Sequence, residues 1–78
     1  MHSPTYINIK YKNDIYKINI PDCNVSVLYL KDVIQNFYLS SLNVSNIRLY
    51  HMYDELRNSF NLSNYDITGG MTLEMRHD

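Results

Sequence analysis

The stretch LSNYDITGGMTLEM, residues 62–75, carries the most structural information in this 78-residue chain. It opens with a compact, irregular segment in which a single helical turn is expected over residues 62–65. A tight turn is predicted at Gly69 and Gly70, because glycine adopts positive φ angles without steric cost. The alternation that follows predicts a last strand. Two side chains of that strand are expected to face the core: Leu73 and Met75.

The segment immediately upstream also alternates. Residues 47–53 (IRLYHMY) place apolar and polar side chains in turn, which predicts a strand with Ile47 and Leu49 facing the core. The acidic pair at 54–55 is expected to form a turn, and Leu56 to begin a short strand.

The first half of the chain predicts a hairpin and a helix. Two alternating runs, residues 6–12 and 16–20, flank the polar pair Asn13 and Asp14, a pattern typical of a β-hairpin. Ser26 is a suitable N-cap for the helix that follows. Apolar residues at helical spacing are expected to face the core, and the polar residues between them the solvent. The inward positions are Val27, Leu30, Ile34 and Phe37, and the outward ones Lys31, Asp32, Gln35 and Asn36.

Composition and charge exclude several classes of function. Apolar residues make up 45% of the chain and charged residues 19%, so disorder is not expected. A net charge of −1 provides no strong field for nucleic acid or a membrane surface. No apolar run approaches the roughly 20 residues that span a bilayer, and the N-terminal residues lack the pattern of a signal peptide. We therefore expect a single monomeric domain located in the cytoplasm, the nucleus or both.

Reactive and metal-binding residue types are sparse. A catalytic thiol at Cys23 would need a histidine within hydrogen-bond reach, and His51 is expected on a distant strand, so no enzyme is predicted. One cysteine cannot form an internal disulfide or a four-ligand zinc site, and the histidines lack metal-ligand spacing, so no cofactor or metal is expected. Tyr11 and Tyr16 are interleaved with the lysines of the hairpin, as in RNA-binding surfaces, but the near-neutral charge argues against that alternative. Those lysines are Lys10, Lys12 and Lys17.

The order ββαββ, turn, β and the motif Leu-Ser-x-Tyr-x-Ile followed by Thr-Leu-x-hydrophobic resemble ubiquitin and its relatives. The resemblance covers about residues 6–76 and is specific in the last third. It implies an α+β fold, the ubiquitin-like β-grasp, in which a mixed, curled sheet packs on one helix with the first and last strands parallel at its centre. Residues 1–5 are then expected to be a flexible N-terminus, and residues 77–78 the C-terminal end.

The resemblance implies structural roles for three residues of the closing stretch. In relatives of ubiquitin, the leucine and the isoleucine of this motif fill one end of the barrel. The tyrosine hydroxyl bonds to nearby backbone and holds the irregular segment in place. Leu62, Tyr65 and Ile67 occupy these positions in this chain.

The departures from ubiquitin define the expected function. Gly69 and Gly70 precede the last strand, whereas the conjugated relatives carry Gly-Gly in a tail after it. The resemblance therefore implies a ubiquitin-like interaction module that binds a protein partner non-covalently, such as a ubiquitin-pathway receptor, a proteasome subunit or a splicing factor. Two alternatives remain at this point. One is a splicing-associated ubiquitin-like modifier, and the other is a conjugated modifier whose Gly-Gly tail has been removed.

The expected binding surface is the outward face of the sheet. If the first, third and last strands lie side by side, Tyr50 is central and charged residues form a rim around it, an arrangement typical of protein interfaces. Met52 is expected to extend the contact as an adaptable apolar side chain. The predicted partner-binding residues are Lys10, Arg48, Tyr50, Met52, Glu74 and Arg76.

Overall fold

The computed structural model describes residues 4–78, which form a five-stranded sheet, one α-helix and two short 3₁₀ helices. The strands are β1 (Thr5–Tyr11), β2 (Asp14–Ile20), β3 (Ile47–His51), β4 (Asp54–Glu55) and β5 (Thr72–His77). The helix α1 spans Val27–Phe37, and the 3₁₀ helices span Val44–Asn46 and Leu62–Tyr65.

The five strands form one mixed sheet in the order β2-β1-β5-β3-β4. The central strands β1 and β5 run parallel, with Ile9 opposite Leu73, and the other neighbouring pairs are antiparallel. Because parallel strands need a long crossover, β2, α1, β3 and β4 lie between β1 and β5 in the chain. The predicted α+β fold with this strand arrangement is confirmed.

One hydrophobic core lies between the inner face of the sheet and α1. The helix begins after Ser26, whose side chain accepts a hydrogen bond from the backbone N–H of Tyr29 at 3.0 Å, as the sequence predicted. Alternate strand residues and one stripe of the helix are buried together. The buried apolar residues are Ile7, Ile9, Ile18, Ile20, Val27, Leu30, Ile34, Ile47, Leu49, Leu56, Leu62, Ile67, Leu73 and Met75.

The closing segment, residues 62–67, fills one end of this core. Leu62 and Ile67 are buried, and the half-buried Tyr65 accepts a hydrogen bond at its hydroxyl from the backbone N–H of Arg57 at 2.9 Å. Asp66 ends the 3₁₀ helix with a left-handed backbone, φ 57°. The burial and the bond that the resemblance implied for this segment are both present.

The turn before β5 brings the chain close to the start of β1. Gly70 has φ 86°, and its N–H donates to the carbonyl of Tyr6 at 2.8 Å. A Cβ on Gly69 would lie 1.9 Å from the hydroxyl oxygen of Thr5, so a side chain there requires Thr5 to move. The glycine pair is therefore docked against β1.

The first hairpin turns one residue earlier than predicted. The turn consists of Lys12 and Asn13, and Asp14 is already in β2, paired with Tyr11. Lys12 has φ 56°, a left-handed conformation that is uncommon for lysine. The predicted turn at Asn13 and Asp14 was therefore wrong by one residue.

The second hairpin differs from the prediction in the same way. β3 ends at His51 rather than at residue 53, and the turn consists of Met52 and Tyr53. The acidic pair predicted as a turn forms β4, in which Asp54 pairs with His51. Met52 has φ 58°, and this left-handed residue reverses the chain without glycine or asparagine.

The last turn of α1 also departs from the prediction. Phe37, expected in the core, is 77% exposed. Leu39, just beyond the helix, packs against the core instead, and the Tyr38 hydroxyl accepts a hydrogen bond from the backbone N–H of Asn19 at 3.3 Å. The apolar stripe therefore ends at Ile34, and the chain after the helix supplies the next core contact.

Lys31, predicted to face solvent, is only 5% exposed. It lies four residues after Val27 and next to Leu30, so it falls at the edge of the stripe that faces the core. Burial lowers the pKa of its ammonium group, and the neighbouring Glu55 opposes that shift. A long aliphatic side chain packs in such a position while its charged end reaches the rim.

The strands extend slightly beyond the predicted domain. β1 begins at Thr5 and β5 ends at His77, whereas the domain was expected to span residues 6–76. The flexible N-terminus predicted for residues 1–5 falls in part on residues 1–3, which lie outside the described residues. Within residues 4–78, no helix is long and apolar enough to cross a membrane.

Candidate functional site

The strand register brings the predicted partner-binding residues of the sheet together on its outward face. Tyr50 on β3 lies opposite Glu74 on β5 and Glu55 on β4. Lys10 on β1 lies opposite Glu74 from the other side, and Arg48 lies opposite Arg76 in the next row. The strands that carry these residues are adjacent because β5 lies between β1 and β3.

Tyr50 occupies the middle of this surface. Its side chain is half-buried, and the guanidinium carbon of Arg76 lies 5.3 Å from the centre of its ring. Arg76 is a diagonal neighbour of Tyr50 across the β3–β5 pair, within reach of a long side chain. A cation over an aromatic face is attracted to the ring, so Arg76 helps to hold the Tyr50 ring in place.

The β3–β4 turn adds exposed apolar area beside Tyr50. Met52 is 78% exposed and Tyr53 is 99% exposed. Both line one open depression together with Tyr50, Glu74 and Arg76. Met52 therefore contributes from the turn rather than from the predicted strand. Tyr53 was not among the predicted partner-binding residues. Its position in the two-residue turn depends on the left-handed backbone of Met52, which the sequence does not signal.

Arg48 on β3 is paired with acidic residues on both sides of its strand, one on β4 and one directly after β5. Its side chain forms salt bridges with Glu55 at 3.5 Å and with Asp78. The hydrogen bond that the Arg48 guanidinium donates to the carboxylate of Asp78 is the largest cause of an upward shift in the pKa of Arg48. Both partners are themselves partly exposed, so these bridges orient the side chains more than they stabilise the fold.

The β1 side of the surface carries cations in a second depression. Lys10, Lys12 and Arg76 line it together with Glu74 and the edge of Met75. The ammonium group of Lys12 also lies 5.3 Å from the centre of the Tyr11 ring. Among residues 4–78, the ion pairs within 4.0 Å are the two formed by Arg48, so these lysines and Glu74 lie near one another without direct pairing.

The end of β5 is tied to the loop that precedes β3. The backbone N–H of Asn43 donates to Nε2 of His77 at 3.0 Å, and the N–H of Asp78 donates to the carbonyl of Asn46 at 3.1 Å. These bonds place the carboxylate of Asp78 next to Arg48. The last residues of the chain are therefore part of the rim of the candidate surface.

The hairpin lysines and tyrosines do not form one surface. Lys10 and Lys17 point outward with Tyr6, and the ammonium group of Lys17 lies 4.4 Å from the centre of the Tyr6 ring. Tyr11 and Tyr16 are half-buried and pack against the core. The rings of Tyr11 and Tyr16 therefore lie on the opposite face of the hairpin from Lys10 and Lys17, unlike a stacking platform for bases.

The lone thiol has the opposite electrostatics from an activated nucleophile. Burial, and then the negative charge of Asp22, raise the pKa of Cys23. A reactive cysteine needs a lowered pKa, since the thiolate is the attacking species. In the part of the chain that the structure describes, no group of three or more histidine, cysteine, aspartate or glutamate side chains could hold a metal ion.

Comparisons with known proteins bear on the fold. No protein-family model and no curated protein sequence matches the chain. Solved structures do match. The N-terminal ubiquitin-like domain of the 4931431F19Rik protein has a TM-score of 0.82 and 19% identity over 100% of this chain and 78% of that one. The ubiquitin-like domain of Plasmodium falciparum Dsk2 has a TM-score of 0.85 and 17% identity over 97% of this chain and 100% of that one.

A third similar structure is ATBAG1 in complex with HSP70, with a TM-score of 0.85 and 18% identity over 95% of this chain. The match spans 40% of that longer chain. At these identities, the likeness concerns the backbone arrangement. Together with the strand order and the closing segment, it establishes that the chain has the ubiquitin-like β-grasp fold.

Proposed function

We propose that this chain is a non-catalytic interaction module that binds a protein partner on the outward face of its sheet. The observation that carries the proposal is the position of Tyr50, half-buried at the centre of that face, beside exposed apolar residues and inside a rim of charges. Tyrosine and arginine are the residue types that contribute most to protein interfaces. The charges around them provide orientation.

The chemistry of the remaining surface favours binding over catalysis. The thiol of Cys23 has a raised pKa, and the depressions on the sheet are open rather than enclosed. An enzyme site combines a concave pocket with groups whose pKa values favour reaction. The arrangement around Tyr50 instead resembles the centre of a protein interface.

The class of partner is proposed from structural similarity. Similar structures include a ubiquitin-like domain of Dsk2 and ATBAG1 in complex with HSP70. On the basis of this similarity, we propose that the partner belongs to the ubiquitin–proteasome pathway, the class that the resemblance to ubiquitin implies. We also propose that the protein is located in the cytoplasm or the nucleus. The supporting feature is the shared fold.

The test combines a substitution with mapping of the contact surface. A partner captured on the wild-type protein is purified and titrated into an isotope-labelled sample, and the perturbed backbone amides are assigned. We expect them to cluster on β1, β3 and β5. Tyr50→Ala should weaken binding by about 2 kcal/mol, because the central aromatic side chain is lost, and leave folding nearly unchanged.

The matched control is Tyr29→Ala, which removes an exposed tyrosine from α1. It should leave the affinity unchanged. Perturbed amides that cluster around Tyr29 and Asp32 would show that the partner binds the helix and that the sheet-face proposal is wrong.

A further inference from the structure

We propose that a depression at the β4 edge of the sheet binds a phosphate-class oxyanion between Lys31 of α1 and Arg57, two residues after β4. The lining of this depression consists of Lys31, Glu55, Leu56, Arg57 and Asn58. None of these residues lines the two depressions beside Tyr50, so the oxyanion site is separate from the proposed partner surface.

Lys31 is the one buried charged residue among residues 4–78. In the same part of the chain, no carboxylate lies within 4.0 Å of its ammonium nitrogen. Burial lowers the pKa of Lys31, Glu55 opposes that shift, and Arg48 adds to it. A buried charge is normally paired, because leaving water without a partner costs free energy. A bound anion would supply the counter-charge that the fold does not place next to this ammonium group.

Glu55, the carboxylate of the depression, is engaged elsewhere. It pairs with Arg48 at 3.5 Å, and 46% of its side chain is exposed, so water screens its charge. Two cations and one carboxylate line the depression, which leaves an excess of one positive charge. A phosphate monoester carries a charge of about −1.5 to −2 near pH 7 and is attracted to such a site.

The donors of the depression suit a tetrahedral oxyanion better than a carboxylate. The planar guanidinium of Arg57 can bind two oxygens at once, and the ammonium of Lys31 provides a compact charge. The side-chain amide of Asn58 adds a neutral donor. Three donor side chains match the three free oxygens of a phosphate monoester, whereas a carboxylate offers two.

Backbone hydrogen bonds hold the two sides of the depression together. The N–H of Leu28, three residues before Lys31, donates to the carbonyl of Asn58 at 3.4 Å. Helix residues three apart lie on the same side, so Lys31 is next to this loop. The N–H of Arg57 donates to the Tyr65 hydroxyl at 2.9 Å. An anion therefore meets donors whose backbone is already fixed, which lowers the entropic cost of binding.

The test titrates inorganic phosphate into the isotope-labelled chain at constant ionic strength, with chloride as the balancing ion. We expect saturable shifts in the amide signals of residues 55–58 and in the side-chain signals of Lys31. The pKa of Lys31 should rise on binding, because a nearby anion favours the charged ammonium. Acetate should bind more weakly than phosphate.

A phosphoserine tripeptide in the same titration distinguishes the source of the oxyanion. Saturable binding of the tripeptide at the same residues would support a phosphorylated side chain as the ligand. Binding of inorganic phosphate alone would support the free ion.

Two lysine variants test the central contact. Lys31→Met removes the charge but keeps an apolar chain in the buried position, and it should raise the Kd for phosphate about tenfold. Lys17→Met removes an exposed lysine from β2, at the opposite edge of the sheet, and should change the Kd less than about twofold. The amide spectrum checks the fold of each variant. Arg57→Gln alters an exposed side chain and should raise the Kd about 2- to 5-fold.

Removal of the carboxylate in the depression should have the opposite sign. Glu55→Gln should lower the Kd for phosphate by about 2- to 5-fold, because a like charge is lost. Asp14→Asn makes the same change in charge on β2 and should alter the Kd less than about twofold.

Equal effects of Lys31→Met and Lys17→Met would overturn the inference, as would shifts that follow ionic strength without saturating. Acetate that binds as tightly as phosphate would also overturn it. None of these results changes the expectation for Tyr50→Ala, because none of the altered residues lines the depressions beside Tyr50.

Discussion

Two tyrosines of this chain are both half-buried, and we propose opposite roles for them. The Tyr65 hydroxyl accepts a hydrogen bond from the backbone of Arg57, and its ring lies 5.9 Å from that of Phe60. Tyr50 lies on the open sheet, with Arg76 over one face of its ring. The comparison teaches that burial alone does not separate a structural residue such as Tyr65 from a residue such as Tyr50, for which we propose a role in binding. What separates them is whether the polar end is used to hold backbone inside the fold.

The largest expected effect tests whether the closing segment is required for folding. Ile67→Ala removes a fully buried side chain and leaves a cavity, so the free energy of unfolding should fall by about 2–5 kcal/mol. In a domain of this size, that is a large part of the total stability. Urea denaturation followed by circular dichroism measures the change.

The control for this prediction is Ile15→Ala on the outward face of β2. Ile15 is 64% exposed, so its truncation should cost less than about 0.5 kcal/mol. A loss that small for Ile67→Ala would mean that the closing segment does not contribute to the core.

A second prediction compares the two tyrosine hydroxyls directly. Tyr65→Phe removes the acceptor for the Arg57 N–H and should lower the free energy of unfolding by about 1 kcal/mol. Tyr50→Phe removes a hydroxyl from an exposed surface and should change it by less than about 0.5 kcal/mol. Chemical denaturation of both variants under the same conditions tests the difference. Equal losses would contradict the distinction between the two residues.

The smallest expected effect concerns the turn beside Tyr50. Met52 has a left-handed backbone, which costs about 1–2 kcal/mol for a residue with a Cβ. Met52→Gly relieves this strain but adds entropy to the unfolded chain, so a net gain of about 0.5 kcal/mol in the free energy of unfolding is expected. The same denaturation experiment measures it.

Lys12→Gly is the matched variant, since Lys12 has the same backbone conformation in the other hairpin. It should also become slightly more stable. Met52→Gly should also weaken binding through lost apolar area, because Met52 lines the depression beside Tyr50. A loss of stability in both variants would show that these turns are not strained.

Alternation and capping predicted most of the fold. Ser26 begins the helix as expected, and the inward positions of β3 and β5 are buried as expected. The turns were placed one or two residues too late, because Lys12 and Met52 adopt a conformation that their residue types do not signal. Apolar and polar alternation continues through such a turn, so the pattern alone extends the strand too far.

The helix shows a different limit of sequence reasoning. Periodicity assigns a residue to a side of the helix but does not say how far the sheet extends beneath it. Phe37 lies on the correct spacing and is exposed, because Leu39 makes the contact at that end. Lys31 lies at the margin of the apolar stripe and is buried, since its aliphatic portion packs well there.

The candidate site was predicted in part. The resemblance to ubiquitin and the strand order predicted which outward residues would meet around Tyr50, and the register brings them together. The division of the rim into a paired and an unpaired side was not foreseen. It depends on Asp78, which reaches Arg48 only because the end of β5 is bonded to the loop before β3.

The hydrogen bond between His77 and the loop before β3 provides an intrinsic spectroscopic probe. Because Nε2 of His77 accepts a hydrogen bond from the backbone N–H of Asn43, the neutral imidazole carries its proton on Nδ1. Nitrogen chemical shifts distinguish the two imidazole tautomers without any added label group. Recording them while a ligand binds would report whether the loop stays docked, from a residue that lies next to the paired rim but outside the predicted contact.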